Sequence, residues 1–296
     1  MQIVFLGTSS MVPTKERNQI AVFLSYGSDG ILFDCGEGTQ RQFKIAGISL
    51  TRVTKILISH WHGDHVLGLP GLIQSLSSAD YNGRLEIYGP AGTKKRMEKM
   101  FEVFVFDKRL DLIVKEVREG IFFKNNDFYI EAFILEHGIE TLGYRFVEKD
   151  KRKIDMRKIR KFGIPEGPLL GKFQQGKSVE YNGKKINSVD VTYIENGKKV
   201  AYVTDTILCD NCYRVADNAD LLISEATYSS KLADKSEEYG HMTAKQAAEL
   251  ANKSNSKQLV LIHFSARYKN TQELEEDARN IFDNVICAND FMKIEL

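Results

Sequence analysis

The chain has 296 residues, 41 Lys/Arg against 40 Asp/Glu and a formal charge of +1, and its length suffices for one large α/β domain with a well-buried core. No run approaches the roughly 20 apolar residues of a membrane span, and no basic stretch leads an apolar one near Met1, so a membrane partner is not expected and a cytoplasmic location is. The four cysteines, Cys35, Cys209, Cys212 and Cys287, supply neither a disulfide framework nor two zinc-binding pairs.

In chain order, Gln2 to Leu6, Gln19 to Tyr26, Gly30 to Asp34 and Lys55 to Ser59 are rich in β-branched and aromatic residues and read as strands, with a short helix over Gly38 to Ala46. Directly after the fourth strand stands Ser59-His60-Trp61-His62-Gly63-Asp64-His65, which holds half of the six histidines of the chain. In extended backbone His60 and His62 point the same way, and Asp64 and His65 follow past Gly63, where they can serve a second ion. Imidazole and carboxylate together suit Zn²⁺, with Mn²⁺ or Fe as alternatives. Val66 to Ser78 and Ala91 to Phe104 have helical spacing. The apolar strand Phe128 to Leu135 then leads to His137, Lys199 to Thr204 leads to Asp205, and Gln258 to Ile262 leads to His263. Four ligand-type residues or clusters therefore lie just past strand ends, where a layered α/β scaffold gathers its site. Thr243 to Ser254 and Thr271 to Phe282 read as helices, the first with Thr243 able to N-cap it. Cys209-Asp210-Asn211-Cys212 is a lone CxxC and reads as structural or incidental, in preference to a redox or metal site.

Charge is distributed unevenly. Lys149 to Lys177 holds ten Lys/Arg against Asp150, Asp155 and Glu166, a net +7, while the rest of the chain carries −6. The segment lies between the strand Gly143 to Val147 and a strand near Ser178 to Tyr181, so it reads as an insertion, helical over Ile154 to Phe162 and too rich in Gly and Pro over Gly163 to Gly171 to be so. Charges of one sign are what phosphate binding requires; a solvated charged excursion is the plain alternative. Without repeats or a Pro/Ser-rich linker, the expected organisation is a single domain over 1–296 with an inserted flexible arm at 148–178.

The order HxHxDH, then His137, Asp205 and His263, resembles the metallo-β-lactamase superfamily. The resemblance implies an α/β fold, an αββα sandwich of two facing sheets with helices outside. It also implies a dinuclear zinc site in which His60, His62 and His137 hold one ion, Asp64, His65 and His263 the other, and Asp205 bridges them. Three further segments resemble the ribonuclease Z family of tRNA 3′-processing endonucleases. Pro13, Lys15, Arg17 and Asn18 match its PxKxRN loop. Ser224-Glu225-Ala226-Thr227 and His241-Met242-Thr243 are similar to its HEAT and HST motifs, departing at Ser224 and Met242. Gly163 to Lys172, with Gly167-Pro168, resembles the tip of its protruding basic arm.

This resemblance implies two Zn²⁺ per subunit, with Mn²⁺ as the alternative, and removal of the 3′ trailer from precursor tRNA by phosphodiester hydrolysis. It further implies a homodimer in which the arm of one subunit grips tRNA cut by its partner. Asp64 would accept the proton of the attacking water, and His241, oriented by Glu225, would protonate the leaving 3′ oxygen. Lys15, Arg17 and Asn18 would contact phosphates near the cleavage site, and Arg267 the scissile phosphate or the last unpaired nucleotide. Another dinuclear phosphodiesterase of the same superfamily would share the ligands but has no need of the basic arm. The mRNA 3′-end nucleases carry a large domain between the bridging Asp and the last His, where only 57 residues stand here. A non-catalytic RNA-binding paralogue would have no use for intact ligands beside Glu225 and His241.

Overall fold

Gln2 to Gly7 is buried at every position after the first, and a strand without a polar face must be covered on both sides. The computed structural model, which describes every residue except Asp80, Asn82 and 106–108, shows two seven-stranded sheets that provide this cover. The strands are β1 (Gln2–Gly7), β2 (Ala21–Tyr26), β3 (Asp29–Phe33), β4 (Lys55–Leu57), β5 (Arg84–Gly89), β6 (Asp111–Glu116), β7 (Gly120–Lys124), β8 (Phe128–His137), β9 (Ile139–Glu148), β10 (Lys151–Ile154), β11 (Val179–Tyr181), β12 (Lys184–Ile186), β13 (Thr192–Glu195), β14 (Lys199–Val203), β15 (Leu221–Glu225), β16 (Leu259–Ile262), β17 (Val285–Cys287) and β18 (Lys293–Glu295). One sheet runs β18-β1-β2-β3-β4-β5-β6 and the other β17-β16-β15-β14-β9-β8-β7.

The chain divides into two compact units, the first comprising Met1–Lys124, Ile130–Phe146 and Lys199–Leu296. Within it the sheets meet through aromatic side chains: Phe33 and Tyr202 have ring centroids 5.0 Å apart, and the Tyr144 hydroxyl donates to the Ile58 carbonyl at 2.6 Å. Helices Thr39–Ile45, Leu69–Ser78 and Thr93–Val103 bury Phe43, Leu72 and Met97 with Leu6 and Leu32 on one outer face. Helices Asp210–Ala216, Ala244–Lys253 and Gln272–Arg279 bury Val215, Ala247 and Leu274 with Val203, Leu222 and Leu261 on the other. The architecture is the αββα sandwich. Thr243 caps its helix in a capping box with Gln246. No described helix is long and apolar enough to cross a membrane.

β14, β15 and β16 are neighbours and mutually parallel, so the residues that follow them leave the sheet on one edge. The same holds for β3 and β4. The strand expected to reach Ser59 stops at Leu57, and the helix expected over Val66 to Ser78 is two helices, Gly63–Val66 and Leu69–Ser78. Gly68 divides them because the backbone there passes against the end of β3: a Cβ on Gly68 would lie 2.0 Å from the Gly36 carbonyl oxygen.

The second unit comprises Asn125–Tyr129 and Val147–Lys198, so it extends twenty residues past the expected limit at 178. The reason is the stretch near Ser178 to Tyr181, which forms β11 and pairs with β12 in a hairpin inside the insertion. β10 pairs with β13. Ile159, Ile164, Phe173, Val179, Ile186 and Val191 form a small core of their own. Asp155 caps helix Met156–Lys161 by accepting from the backbone N–H of Arg157 and Lys158. Gly163 to Gly171 is not wholly irregular: a helix starts at Pro168 and runs to Gln174, with the proline at the first helical positions, where its missing N–H has no partner to lose.

Candidate metal and catalytic site

Seven side chains from four separate segments converge at the edge of the two sheets. His60 and His62 follow β4, and Asp64 and His65 lie on the short helix Gly63–Val66. His137 is the last residue of β8, while Asp205 and His263 follow β14 and β16. Asp205 (φ 49°) and His263 (φ 61°) both adopt left-handed backbone, as does Asp34 (φ 55°) just past β3. Non-glycine residues rarely accept this conformation, and at these strand ends it turns the side chain into the site.

The donor atoms form two groups, His60, His62, His137 and Asp205 in one, Asp64, His65 and His263 in the other, with the atoms of each within 4.8 Å of one another. Asp205 is central. Its Oδ2 lies 3.6 Å from His60 Nε2, 3.4 Å from His65 Nε2 and 3.6 Å from His137 Nε2, and its Oδ1 lies 3.2 Å from His263 Nε2. Asp64 Oδ2 is 3.4 Å from His263 Nε2 and 3.6 Å from His65 Nε2. His62 Nδ1 is 3.0 Å from His60 Nε2 and 3.3 Å from His137 Nε2.

These separations test whether metal ions fit. Ligands about 2.0–2.1 Å from a tetrahedral ion lie about 3.3 Å from one another, and the donors here are spaced around that value. The buried Nε2 of His65 has no hydrogen-bond partner among the described residues. Leaving such an atom unpaired is costly, and a cation removes the cost. Without one, burial and the neighbouring imidazoles push His60 well below the ordinary histidine range, while Asp205, Asp34 and Asp64 hold buried His65 well above it. The cluster can hold metal ions.

The outward nitrogens of His60, His65, His137 and His263 are fixed as well, which orients those four rings. His65 Nδ1 meets Asp34 Oδ2 at 2.8 Å, His137 Nδ1 meets the Gly240 carbonyl at 2.7 Å, His263 Nδ1 meets Thr227 Oγ1 at 3.0 Å and His60 Nδ1 meets Ser59 Oγ at 2.9 Å. Asp34, fully buried, also accepts from the Ser59 N–H, the Ser59 hydroxyl and the Tyr202 hydroxyl. The sequence reading missed Asp34, although a lone acid closing an apolar strand is the same signal that marks Asp205. Met11 was missed too: its N–H donates to Asp64 Oδ2 at 2.8 Å, tying the loop after β1 to the cluster.

His241 stands beside the cluster, its ring 4.9 Å from that of His137 and 5.5 Å from that of His263. Its Nδ1 lies 3.0 Å from Glu225 Oε2 and 3.2 Å from Oε1. Burial works against the imidazolium, but fully buried Glu225 outweighs it and raises His241 to about 9. Glu225 is itself held by the Thr206 N–H and the Thr227 hydroxyl. Asp205, His241 and His263 also lie close enough to form a third donor group.

The expected substrate contacts divide. Pro13 and Lys15 are exposed. Arg17 is not: it is 7% exposed and donates from Nη2 to the Tyr268 carbonyl at 2.6 Å. It therefore braces the loop from beneath and does not present its guanidinium to a phosphate. Asn18 is likewise engaged within the protein, with Nδ2 donating to the Glu37 carbonyl at 2.8 Å. Arg267 is exposed and stacks over Tyr228, whose ring lies 6.3 Å from that of His241. In the second unit Gly167 and Pro168 are exposed. Arg157, Lys158, Arg160, Lys161, Lys172 and Lys177 are exposed there and make no ion pair among the described residues.

Residues 176–264 match the beta-lactamase superfamily domain and residues 1–104 match the family of the anti-Pycsar protein Apyc1. The structure is similar to the metallo-beta-lactamase fold protein YhfI of Bacillus subtilis, with a TM-score of 0.72 at 16% identity over 100% of this chain and 98% of that one, a likeness of fold. It is also similar to human tRNase Z, short form, with a TM-score of 0.74 at 29% identity over 100% of this chain and 99% of that one. Ribonuclease Z of Archaeoglobus fulgidus is 40% identical over 301 residues, covering 100% of this chain and 97% of its own, and that of Methanothermobacter thermautotrophicus is 39% identical over 297 residues with the same coverage. With this identity over the length of the chain, and with the donor groups in place, the chain belongs to the ribonuclease Z family.

Proposed function

We propose that the protein is a zinc-dependent endoribonuclease that removes the 3′ trailer from precursor tRNA, leaving a 3′-OH on the tRNA and a 5′-phosphate on the trailer. The observation that carries this reading is the His241–Glu225 pair held against a cluster of seven metal-ligating side chains. His60, His62, His137 and Asp205 would hold one ion and Asp64, His65 and His263 the other, with Asp205 shared between them. Bound there, two Zn²⁺, or Mn²⁺ in their place, lower the pKa of water toward about 7 and neutralise the phosphoryl oxygens.

The residues of the chain do the rest. Asp64 takes the proton of the attacking water, its Oδ2 steadied by the Met11 N–H. Glu225 keeps His241 cationic and fixes its Nδ1, which leaves Nε2 to deliver a proton to the departing 3′ oxygen. Pro13, Lys15 and Arg267 are exposed and meet the acceptor end, Asn18 and Arg17 hold that loop in shape, and the cations of the second unit with Gly167-Pro168 hold phosphates elsewhere on the tRNA. Recognition of a folded RNA by shape and phosphates suits this arrangement. Action as a cytoplasmic homodimer, with the arm of one subunit on tRNA cut by the other, completes the reading.

The test is incubation of the metal-loaded protein with a 3′-extended tRNA precursor and mapping of both ends of the cut. A single cut at the end of the acceptor stem, with the phosphate on the trailer, is expected. Cleavage of small phosphodiesters with the precursor left intact would instead make the protein a different phosphodiesterase of this superfamily.

A further inference from the structure

Cys209 and Cys212 have no part in the site described above, and the spacing alone marks them as incidental. Their geometry does not. The two sulfurs lie 3.5 Å apart, and both thiols are free. Cys212 is fully buried among Leu135, Val203 and Val215, with its Sγ 3.7 Å from the Ile207 carbonyl. Cys209 is partly exposed and lines a cleft of about 400 Å³ together with Glu136, Leu208, Asp210 and Asn211. One sulfur thus faces solvent through a cleft large enough for a small molecule, while its partner waits behind it. The segment is held in place: Asn211 Nδ2 donates to the Ile134 carbonyl at 2.7 Å, and the Ile207 N–H donates to the Glu136 carbonyl at 2.9 Å. Cys35 and Cys287, by contrast, are buried singly.

We propose that Cys209 and Cys212 form a thiol–disulfide exchange site for small cationic disulfides, in which Cys209 attacks and Cys212 resolves. Hydrogen bonds from the Cys212 thiol and from the backbone N–H of Cys212 and Asn211 lower the Cys209 thiol from its ordinary range against the effect of its burial, which favours the attacking thiolate. The Cys209 thiolate attacks one sulfur of a disulfide RSSR, the S–S bond breaks and RS⁻ leaves, giving a mixed disulfide on Cys209. Cys212 then loses its proton and attacks the Cys209 sulfur, expelling the second RS⁻ and closing the Cys209–Cys212 bond. Two electrons pass from the protein to RSSR, and the two protons end on 2 RSH. Exposed Glu136 and Asp210 line the cleft, so a cationic disulfide is attracted and an anionic one repelled.

The metal-loaded protein is treated with cystamine or with glutathione disulfide, its remaining thiols are alkylated, and its peptides are mapped by mass. Wild type is expected to lose two thiols and two mass units with Cys209 joined to Cys212, several-fold faster with cystamine than with glutathione disulfide at low salt, the gap narrowing as salt is raised. Cys212→Ser should trap a half-cystamine on Cys209, and Cys209→Ser should leave the three other thiols unreacted. Dithiothreitol should restore all four thiols. Reaction beginning at Cys35 or Cys287, an unchanged rate in Cys209→Ser, or a mixed disulfide that persists in wild type would overturn the site. Equal rates with the two disulfides would overturn the assignment to cationic ones.

Discussion

The metal cluster and the second unit are both dense in charge, and they use it in opposite ways. At the cluster every ligand ring except that of His62 has a fixed partner on its outward nitrogen, Asp205 is 2% exposed and three residues accept left-handed backbone to bring the donors together. In the second unit six Lys/Arg between Arg157 and Lys177 stand in solvent without a counter-charge among the described residues. Preorganisation of the first kind costs stability until an ion arrives, so metal binding is also folding free energy. Charges of the second kind cost little to display and act jointly, by releasing counterions from a phosphate backbone. Chemistry within ångströms of one bond needs the former; grip on a long polyanion needs the latter.

The largest break in that contrast is Asp205→Ala. Because this carboxylate faces His60, His65 and His137 through one oxygen and His263 through the other, its loss should empty both ion positions. Activity should then fall by more than the roughly 10² to 10⁴ that a general acid supplies. Chelation of wild type should do the same and lower the unfolding temperature, since like donors are left facing one another. Elemental analysis and a thermal scan check both. A variant that keeps two metals and its rate would place the shared ligand elsewhere.

His241→Ala comes next, at about 10² to 10⁴ in the rate of precursor cleavage with metal content and tRNA affinity unchanged. A nitrophenyl phosphodiester, whose leaving group needs no proton, should show a far smaller loss. Loss of metal from this variant would instead assign His241 to the third donor group with Asp205 and His263.

How much of this was legible before the fold was known follows the same division. The seven clustered side chains were legible because each stands at the end of an apolar strand or in one six-residue cluster, a pattern local in sequence. Their outer partners were not: the Gly240 carbonyl is backbone, Thr227 is one hydroxyl among many, and Asp34 reaches His65 only through the packing of β3 on β4. Arg17 was misread for a related reason. A cation in a polar loop reads as exposed, and only the folded chain sets the Tyr268 carbonyl against it. In the second unit the single-sign charge was plain, but its limit was not, because β11 has the composition of a strand returning to the main sheet and pairs with β12 instead.

Neutralising the exposed cations sharpens the other side of the comparison. Because Phe173 and Val179 belong to the core of that unit, excising the segment would destroy the unit along with its charge. Replacing Arg157, Lys158, Arg160, Lys161, Lys172 and Lys177 with Gln leaves the core alone. If half of the six engage phosphates, affinity for precursor tRNA at about 0.15 M salt should drop about 100-fold, and the slope of log K against log[salt] should flatten by about 0.7 to 0.9 for each phosphate no longer neutralised. Metal content and hydrolysis of a small phosphodiester should not change. An unaltered slope in the six-fold variant would make these charges a solvated face.

The smallest expected effect falls on Asp34, a buried residue of the preorganised kind that stands outside the donor groups. Its Oδ2 accepts from His65 Nδ1, Ser59 Oγ and the Tyr202 hydroxyl, and its Oδ1 accepts from the Ser59 N–H. Asn can keep the Ser59 N–H on its oxygen, which turns its NH₂ toward the other three. Facing that donor, His65 gives up its Nδ1 proton and keeps the one on Nε2, the atom that must be bare to bind a metal. Asp34→Asn should therefore weaken metal binding by about 10- to 100-fold, as changes to such outer partners do. Saturating metal should restore most of the cleavage rate, because the ligands themselves are intact. Chelator competition gives the affinity, and the ¹⁵N shifts of His65 report whether Nδ1 carries a proton in the metal-free protein. Unchanged affinity with the proton still on Nδ1 would mean that packing on Ser59 alone fixes the ring, and that Asp34 serves stability and not the metal.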